Sequence, residues 1–314
     1  IYLDQPEMVL DRGTNGQLTV SYEPPDTTDD KTVAWTSSNP EIATVDDSGK
    51  VTAISAGDAT ITAKVGTHTA TCEVTVVILI HNISLDKTEL TLDRGTNDQL
   101  KVSIDPSDTT EDTTVTWTSS NPAVAAVDST GKVTAISKGS TTITAKIGTH
   151  TATCKVTVVV LIHSISLDKA DLTLDRGTNQ KLAVSIDPPD TTEDTTVTWT
   201  SSDPAVATVD STGKVTAISK GSTTITAKIG THTATCKITV VVLIHSISLD
   251  KASLTLDRGT NQSLAVSIDP TDTTEDKAVT WTSSNPAVAT VDSTGKVTAV
   301  NKGSTTITAK IGTH

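Results

Sequence analysis

Phenylalanine is absent from the 314-residue sequence, and aromatic residues make up only 2% of it. The apolar residues are therefore almost all valine, isoleucine, leucine and alanine, and threonine is abundant. β-Branched side chains fit a pleated surface, so this composition favours strands over helices.

The sequence also lacks a basic cluster and a long hydrophobic segment. Its formal net charge is −13, which makes nucleic acid and anionic membrane surfaces poor partners. Its apolar runs are far shorter than the ~18 residues of a membrane-spanning helix, so we expect no membrane insertion in this segment. A signal peptide is not visible because the sequence opens directly in a repeat. We therefore expect the chain to be a mature or cropped part of a longer protein.

Only three cysteines are present, at Cys72, Cys154 and Cys236, each 82 residues from the next. A disulfide needs Cα atoms within about 7 Å of each other, which one cysteine per domain does not offer. We expect each cysteine to be a small buried hydrophobe, so stability does not depend on disulfides.

The same period of 82 residues runs through the whole chain. It carries Trp35, Trp117, Trp199 and Trp281, and it carries the apolar segments "TVVILIHNISLDK" (75–87) and "TVVVLIHSISLDK" (157–169 and 239–251). Such a period is typical of a tandem array, and its length suits one small domain per copy. The predicted domains are 1–82, 83–164, 165–246 and 247–314. The last stops at His314 and lacks its final strand.

Alternation of apolar and polar residues in the second copy predicts strands. Segments 99–105, 114–118, 140–147 and 151–162 alternate in this way, and turn signals such as Gly95 and "SSNP" separate them. With the shorter segments between them, each copy contains about seven antiparallel strands. Seven strands around one inward tryptophan predict an all-β fold, an immunoglobulin-like sandwich without its disulfide. We expect the tryptophans and cysteines to form its structural core.

A long continuous motif makes this prediction more specific. The segment "VTWTSSNPAVAAVDSTGKVTAISKGSTTITAKIGTHTATCKVTV" (115–158) resembles the bacterial immunoglobulin-like domain, group 2 (Big_2). The core of the motif recurs in every copy, with "VTAIS" in the first three and "VTAVN" in the fourth. The resemblance implies an extracellular module that occurs as tandem stalks in surface adhesins, as an appendage of secreted enzymes, or on phage virions. It supplies no catalytic motif.

The apolar segment at the end of each copy needs a separate explanation. Its outward positions change from threonine and lysine to valine and leucine, at Val77, Leu79, Val159, Leu161, Val241 and Leu243. A strand that is apolar on both faces is usually covered on both faces. We expect these residues to pack against the following domain, or alternatively to form a patch that contacts another chain. The inward phase also flips at His163-Ser164, which indicates a bend rather than a linker. At ~3.4 Å per residue, four domains joined end to end predict an elongated rod of roughly 150 Å.

Other candidate chemistry is weak. His150 and Cys154 lie about 13 Å apart along one strand, too far to share a zinc ion. The acidic loops "DTTED" and "VDSTGK" are interpreted as solvated, with an interdomain calcium ion as the alternative. "DRG" at 93–95 is interpreted as a turn whose Asp93 and Arg94 are surface charges. No nucleophile elbow is present, so we expect neither enzymatic activity nor a cofactor.

The sequence therefore predicts a structural spacer: a stalk of a bacterial surface, secreted or adhesin-like protein. The alternatives are a subunit of a self-associating extracellular filament, formed by strand addition or lateral packing, and a phage virion or tail appendage. Direct ligand binding through the acidic loops is a further alternative. The expected partners are neighbouring repeats of the chain and, in the filament hypothesis, other copies of it; the sequence identifies no receptor.

Overall fold

The structure is a computed structural model that describes residues 1–28 and 30–314. The chain divides into two compact units, 1–160 and 161–314, and each unit contains two sequence repeats. Every regular element among the described residues is a strand, and no helix long and apolar enough to cross a membrane is found among them.

The strands follow the repeats. In the first unit, repeat 1 contains β1 (Tyr2–Leu3), β2 (Glu7–Asp11), β3 (Asn15–Gln17), β4 (Val20–Ser21), β5 (Ala34–Ser37), β6 (Ala43–Val45), β7 (Lys50–Ala53), β8 (Gly57–Val65) and β9 (His68–Val77). Repeat 2 contains β10 (Asn82–Leu85), β11 (Glu89–Asp93), β12 (Asn97–Gln99), β13 (Val102–Asp105), β14 (Thr116–Ser119), β15 (Ala125–Val127), β16 (Lys132–Ala135), β17 (Gly139–Ile147) and β18 (His150–Val159).

In the second unit, repeat 3 contains β19 (Ser164–Leu167), β20 (Asp171–Asp175), β21 (Asn179–Lys181), β22 (Val184–Asp187), β23 (Thr198–Ser201), β24 (Ala207–Val209), β25 (Lys214–Ala217), β26 (Gly221–Ile229) and β27 (His232–Val241). Repeat 4 contains β28 (Ser246–Leu249), β29 (Asn261–Ser263), β30 (Val266–Asp269), β31 (Thr280–Ser283), β32 (Ala289–Val291), β33 (Lys296–Ala299) and β34 (Ile307–Lys310).

The sheets of repeat 2 show the topology. One sheet has the order β11-β18-β17-β14, and facing it are the sheet β12-β16-β15 and the pair β10-β13. Repeats 1 and 3 repeat this arrangement with their own strands. Repeat 4 keeps β29-β33-β32, β28-β30 and β31-β34. These are immunoglobulin-like sandwiches in tandem, as the sequence predicts.

Two predicted strands are each divided in the structure. The first breaks at Asp86, whose Oδ1 accepts the backbone N–H of Lys101 at 2.8 Å, so β10 and β11 enter different sheets. The second breaks at Leu100, which bonds to the Gly131 carbonyl and separates β12 from β13. The expectation of purely antiparallel strands is also wrong, because β11 pairs parallel with β18. Hydrogen bonds to residues 15 and 31 positions away along the chain end the alternation at these breaks.

The core of repeat 2 lies between its two layers. Most inward positions of β17 and β18 are buried, and Cys154 is fully shielded from solvent as an unpaired thiol. Trp117 is half-buried and packs against this core. The other tryptophans and cysteines lie in the same places in their own repeats. Apolar burial thus holds each sandwich together without a covalent link.

The "VDSTGK" loop is a tight turn held by its own aspartate. Asp128 Oδ1 accepts bonds from the Thr130 N–H, the Thr130 hydroxyl and the Lys132 N–H. These bonds lower the pKa of Asp128, with the Thr130 hydroxyl as the largest cause. Gly131 follows with φ +87°, and a methyl group there would lie 2.6 Å from Cζ2 of Trp117. The turn therefore places backbone directly against the core tryptophan.

Candidate functional site: the joint between consecutive repeats

The apolar segment at the end of repeat 1 belongs to two cores in succession. Val76 is buried in the core of repeat 1, whereas Ile80 is buried in a cluster with Ile83 and Ile147 of repeat 2. Ile78 lies between them and is 5% exposed. The inward phase is even up to Ile80 and odd from Ile83, so the predicted change of phase is present at this seam. One chain segment thus contributes to both sandwiches without a spacer.

The outward side chains of this segment are more exposed to solvent than the sequence predicts. Val77 is half-buried and Leu79 is 41% exposed. Val241 and Leu243 behave in the same way in the second unit, and Val159 is half-buried. Leu161 is 42% exposed. A contact through these six side chains, to a domain or to another chain, stays a prediction.

The "DTTED" loop of repeat 2 forms hydrogen bonds with the backbone of the apolar segment. The loop starts at the cis peptide Asp105–Pro106. The Thr109 hydroxyl donates to the Ile78 carbonyl at 2.6 Å, and the Thr110 N–H donates to the same oxygen at 3.0 Å. In return, the Ile78 N–H donates to the Thr110 hydroxyl at 3.0 Å. Each such bond contributes about 0.5–1.5 kcal/mol net, and losing one partner of a buried group costs more.

Two further hydrogen bonds join the next residues of the apolar segment to repeat 2. The Ile80 N–H donates to Glu111 Oε2, and the His81 N–H donates to the Asp105 carbonyl at 2.8 Å. Three of the four backbone N–H groups from Ile78 to His81 are therefore bonded to repeat 2. The fourth, that of Leu79, is bonded to repeat 1.

Repeat 1 completes the joint with Asp11, the last residue of β2, and with Arg12, which follows it. Asp11 accepts the Leu79 N–H at 3.0 Å and contacts His81 Nε2 at 3.0 Å with its other oxygen. The Leu79 amide is the largest cause that lowers the pKa of Asp11, followed by the His81 ring. Arg12 forms a two-bond ion pair with Asp108, at 2.5 and 3.1 Å. Because both partners are exposed, this pair fixes geometry more than it adds stability.

The second unit contains the same joint between repeats 3 and 4. Thr273 and Thr274 bond to Val242 in place of Ile78, and Glu275 accepts the Ile244 N–H. Asp175 accepts the N–H of Leu243 and contacts His245, and Arg176 pairs with Asp272 at 2.6 and 3.1 Å. Arg258 occupies the same phase in repeat 4, and its Nε donates to the carbonyl of Val300 instead. The same set of hydrogen bonds and ion pairs is therefore present at the joint of each unit.

The acidic loop corrects the sequence interpretation. "DTTED" is not simply solvated, since Asp108 and Glu111 both bond to repeat 1 or its terminal segment. The "DRG" turn of repeat 1, at 11–13, supplies Asp11 and Arg12 to the joint. The interpretation of Asp93 and Arg94 as surface charges concerns the turn at 93–95 and stays a prediction. The two motifs and the apolar segment recur together with the same period of 82 residues. That common period is the sequence signal that could have suggested a contact between them.

The joint offers little to a metal ion. The carboxylates that could be calcium ligands already accept N–H groups, which compete for the same lone pairs. Across residues 1–28 and 30–314, no group of three or more His, Cys, Asp or Glu side chains is placed to hold a metal. The joint of repeats 1 and 2 is formed by hydrogen bonds within the protein and by the Arg12–Asp108 ion pair.

These features define a class, tandem immunoglobulin-like modules joined without linkers. The chain belongs to the bacterial Ig-like domain (group 2) family, which matches residues 1–76, 80–157, 162–239 and 244–313. The resemblance found in the sequence is thereby confirmed.

Among curated proteins, the chain is similar to ice-binding protein 1 of Shewanella frigidimarina (strain NCIMB 400). The two are 31% identical over 297 residues, which cover 88% of this chain and 33% of that protein. An S-layer-related protein of Niallia circulans is 35% identical over 81 residues, 25% of this chain and 5% of that protein. Among solved structures, the protocadherin GammaB4 extracellular domain aligns with 96% of this chain and 59% of its own, at a TM-score of 0.42 and 14% identity. The chain spans a third or less of the length of these two curated relatives.

Proposed function

We propose that the chain is a non-enzymatic stalk that spaces another part of an extracellular bacterial surface protein from its anchor. The family and the S-layer-related and ice-binding relatives support a surface or secreted location. The observation that carries the stalk role is the joint, which leaves no unbonded linker between the repeats of a unit. Spacing needs defined joints and no chemistry of its own.

Deleting one complete repeat tests this proposal. Removing residues 83–164 joins Asn82 to Ile165, so the segment that crosses the seam keeps its pattern. We expect small-angle scattering of the full chain and of this variant to differ in maximum dimension by about 40 Å, the length of one twelve-residue strand. The remaining repeats should keep their thermal midpoints. An unchanged maximum dimension, or loss of all folded structure in the variant, would contradict the stalk.

A further inference from the structure

Residues 78–81 follow β9 of repeat 1 directly along the chain, but they bond mainly to repeat 2. β9 ends at Val77, whose carbonyl still accepts the Arg12 N–H of repeat 1 at 2.9 Å. From Ile78 onwards the partners change, because Thr109 and Thr110 of repeat 2 bond to the Ile78 carbonyl and N–H. The strand pairing of repeat 1 therefore ends between Val77 and Ile78.

The buried side chains divide at the same point. Val76 is 2% exposed and lies in the core of repeat 1. Ile80 is 5% exposed and packs instead with Ile83 and Ile147, in a separate apolar cluster of repeat 2. Repeat 2 therefore buries a side chain that the 82-residue period assigns to repeat 1.

Repeat 3 shows the same arrangement within the second unit. Ile162 packs with Ile165 and Ile229, and its N–H donates to Glu193 of the same repeat. The second compact unit begins at Leu161, before the start of the 82-residue period at residue 165. By packing and by hydrogen bonding, Ile162 thus belongs to the repeat that follows it.

The direct ion pair between the two sandwiches of the first unit is weak. Arg12 and Asp108 are 36% and 59% exposed, so water screens their attraction and the pair adds little stability. Asp11 also bonds to the segment through the Leu79 N–H, but β2 pairs with β9 over five residues without using that bond. Release of residues 78–81 would therefore leave the core and the strand pairing of repeat 1 in place, whereas repeat 2 would lose part of its apolar packing.

We propose that residues 78–81 are the entry segment of repeat 2, so that the cooperative unit of repeat 2 begins at Ile78 rather than at residue 83. Repeat 2 then depends on a segment supplied by the preceding copy, but repeat 1 does not depend on repeat 2. The dependence runs in one direction along the chain, and opening of repeat 2 leaves repeat 1 closed. This inference goes beyond the stalk function, because it concerns how the chain opens; the scattering test of the stalk is independent of it.

The buried cysteines report the opening of each repeat in the full chain. Cys72 and Cys154 are fully buried in the cores of repeats 1 and 2, so iodoacetamide reaches each thiol only when its own repeat opens. Peptide mass spectrometry distinguishes the two thiols, because Glu73 follows Cys72 and Lys155 follows Cys154. In urea below the unfolding transition, and with labelling slower than reclosing, each rate is proportional to the opened fraction of that repeat.

Two truncations in one inward row assign the segment to a repeat. Ile80→Ala removes apolar contacts from the cluster of repeat 2 and should speed the labelling of Cys154 by roughly thirtyfold or more, while Cys72 keeps its wild-type rate. Val76→Ala is the matched control in the same row, and it should speed the labelling of Cys72 alone. If Ile80→Ala speeds Cys72 as much as Cys154, or leaves Cys154 unchanged, the segment does not belong to repeat 2 and the proposal is overturned.

A substitution away from the joint tests the direction of the dependence. Val133 is fully buried in the core of repeat 2, so Val133→Ala should speed the labelling of Cys154 and leave that of Cys72 at the wild-type rate. An equal rise at Cys72 would show that the two repeats open together, and the one-way dependence would be wrong. If Ile80→Ala prevents repeat 2 from folding, Ile80→Val removes a single methyl group and should give a smaller rise at Cys154 alone; a rise at Cys72 in that variant would also overturn the proposal.

Discussion

The substitution Thr110→Val tests the joint at its centre. Valine has nearly the shape of threonine but lacks the hydroxyl that accepts the Ile78 N–H. Ile78 is 5% exposed, so its amide would be left without a partner and largely without water. An unpaired buried donor costs about 1–3 kcal/mol. For a domain of this size, each kcal/mol lowers the thermal midpoint by roughly 4–8 °C.

Scanning calorimetry and limited proteolysis measure the two consequences. We expect the transition of repeat 2 to shift down by roughly 4–24 °C, the product of those two ranges. We also expect faster cleavage within residues 78–81 by a protease that cuts at aliphatic residues. The matched control is Thr28→Val, at the same phase of repeat 1: both threonines are exposed, but of the two only Thr110 bonds to Ile78. If Thr110→Val and Thr28→Val change the thermal midpoint and the cleavage rate equally, the Thr110 bond does not hold the segment and the reasoning fails.

Three further predictions concern the turn, the pH dependence and the thiols. Gly131→Ala should lower the thermal midpoint of repeat 2 well beyond Gly148→Ala: both have positive φ, but only the first methyl meets core atoms within 3 Å. The pKa of Asp11 is lowered on folding, so its ionised form stabilises the joint above about pH 4, and this is lost as the pH falls through the lowered pKa. The thermal midpoints of wild type and Asp11→Asn should therefore converge on acidification, and a constant difference would refute this. Burial raises the pKa of the Cys154 thiol, so a thiol reagent should label it only after denaturation; labelling of the native chain at the rate of a free thiol would contradict its burial.

Alternation predicted most of the sandwich because burial on one face of a strand is a local property. The two-residue alternation of apolar and polar residues identifies the inward residues of β17 and β18. A break in that alternation identifies the change of phase after Ile80. The division between β10 and β11 does not, because it depends on Asp86 bonding to a strand fifteen residues away. Parallel pairing with β18 is equally invisible, since no pattern in β11 specifies its neighbour.

The joint was only half predictable for the same reason. The apolar segment identified the seam, but both faces of it looked equally suited to contact. Arg12 and Asp108 are 96 residues apart, so no window of sequence contains both. Each appears alone as an ordinary charge in a loop, and only the fold brings them together. The joint also uses the backbone N–H and carbonyl of Ile78. Every residue other than proline has both groups, so the identity of residue 78 does not predict these bonds.

The inward row Val76, Ile78 and Ile80 restricts how such a gene is able to change in length. Adding or removing a single residue within this row would turn the later side chains of that strand to the opposite face. Recombination between copies at matching positions keeps the row intact and adds or deletes whole periods. A change by whole periods therefore leaves the side-chain register inside each module intact, whereas a change by one residue does not.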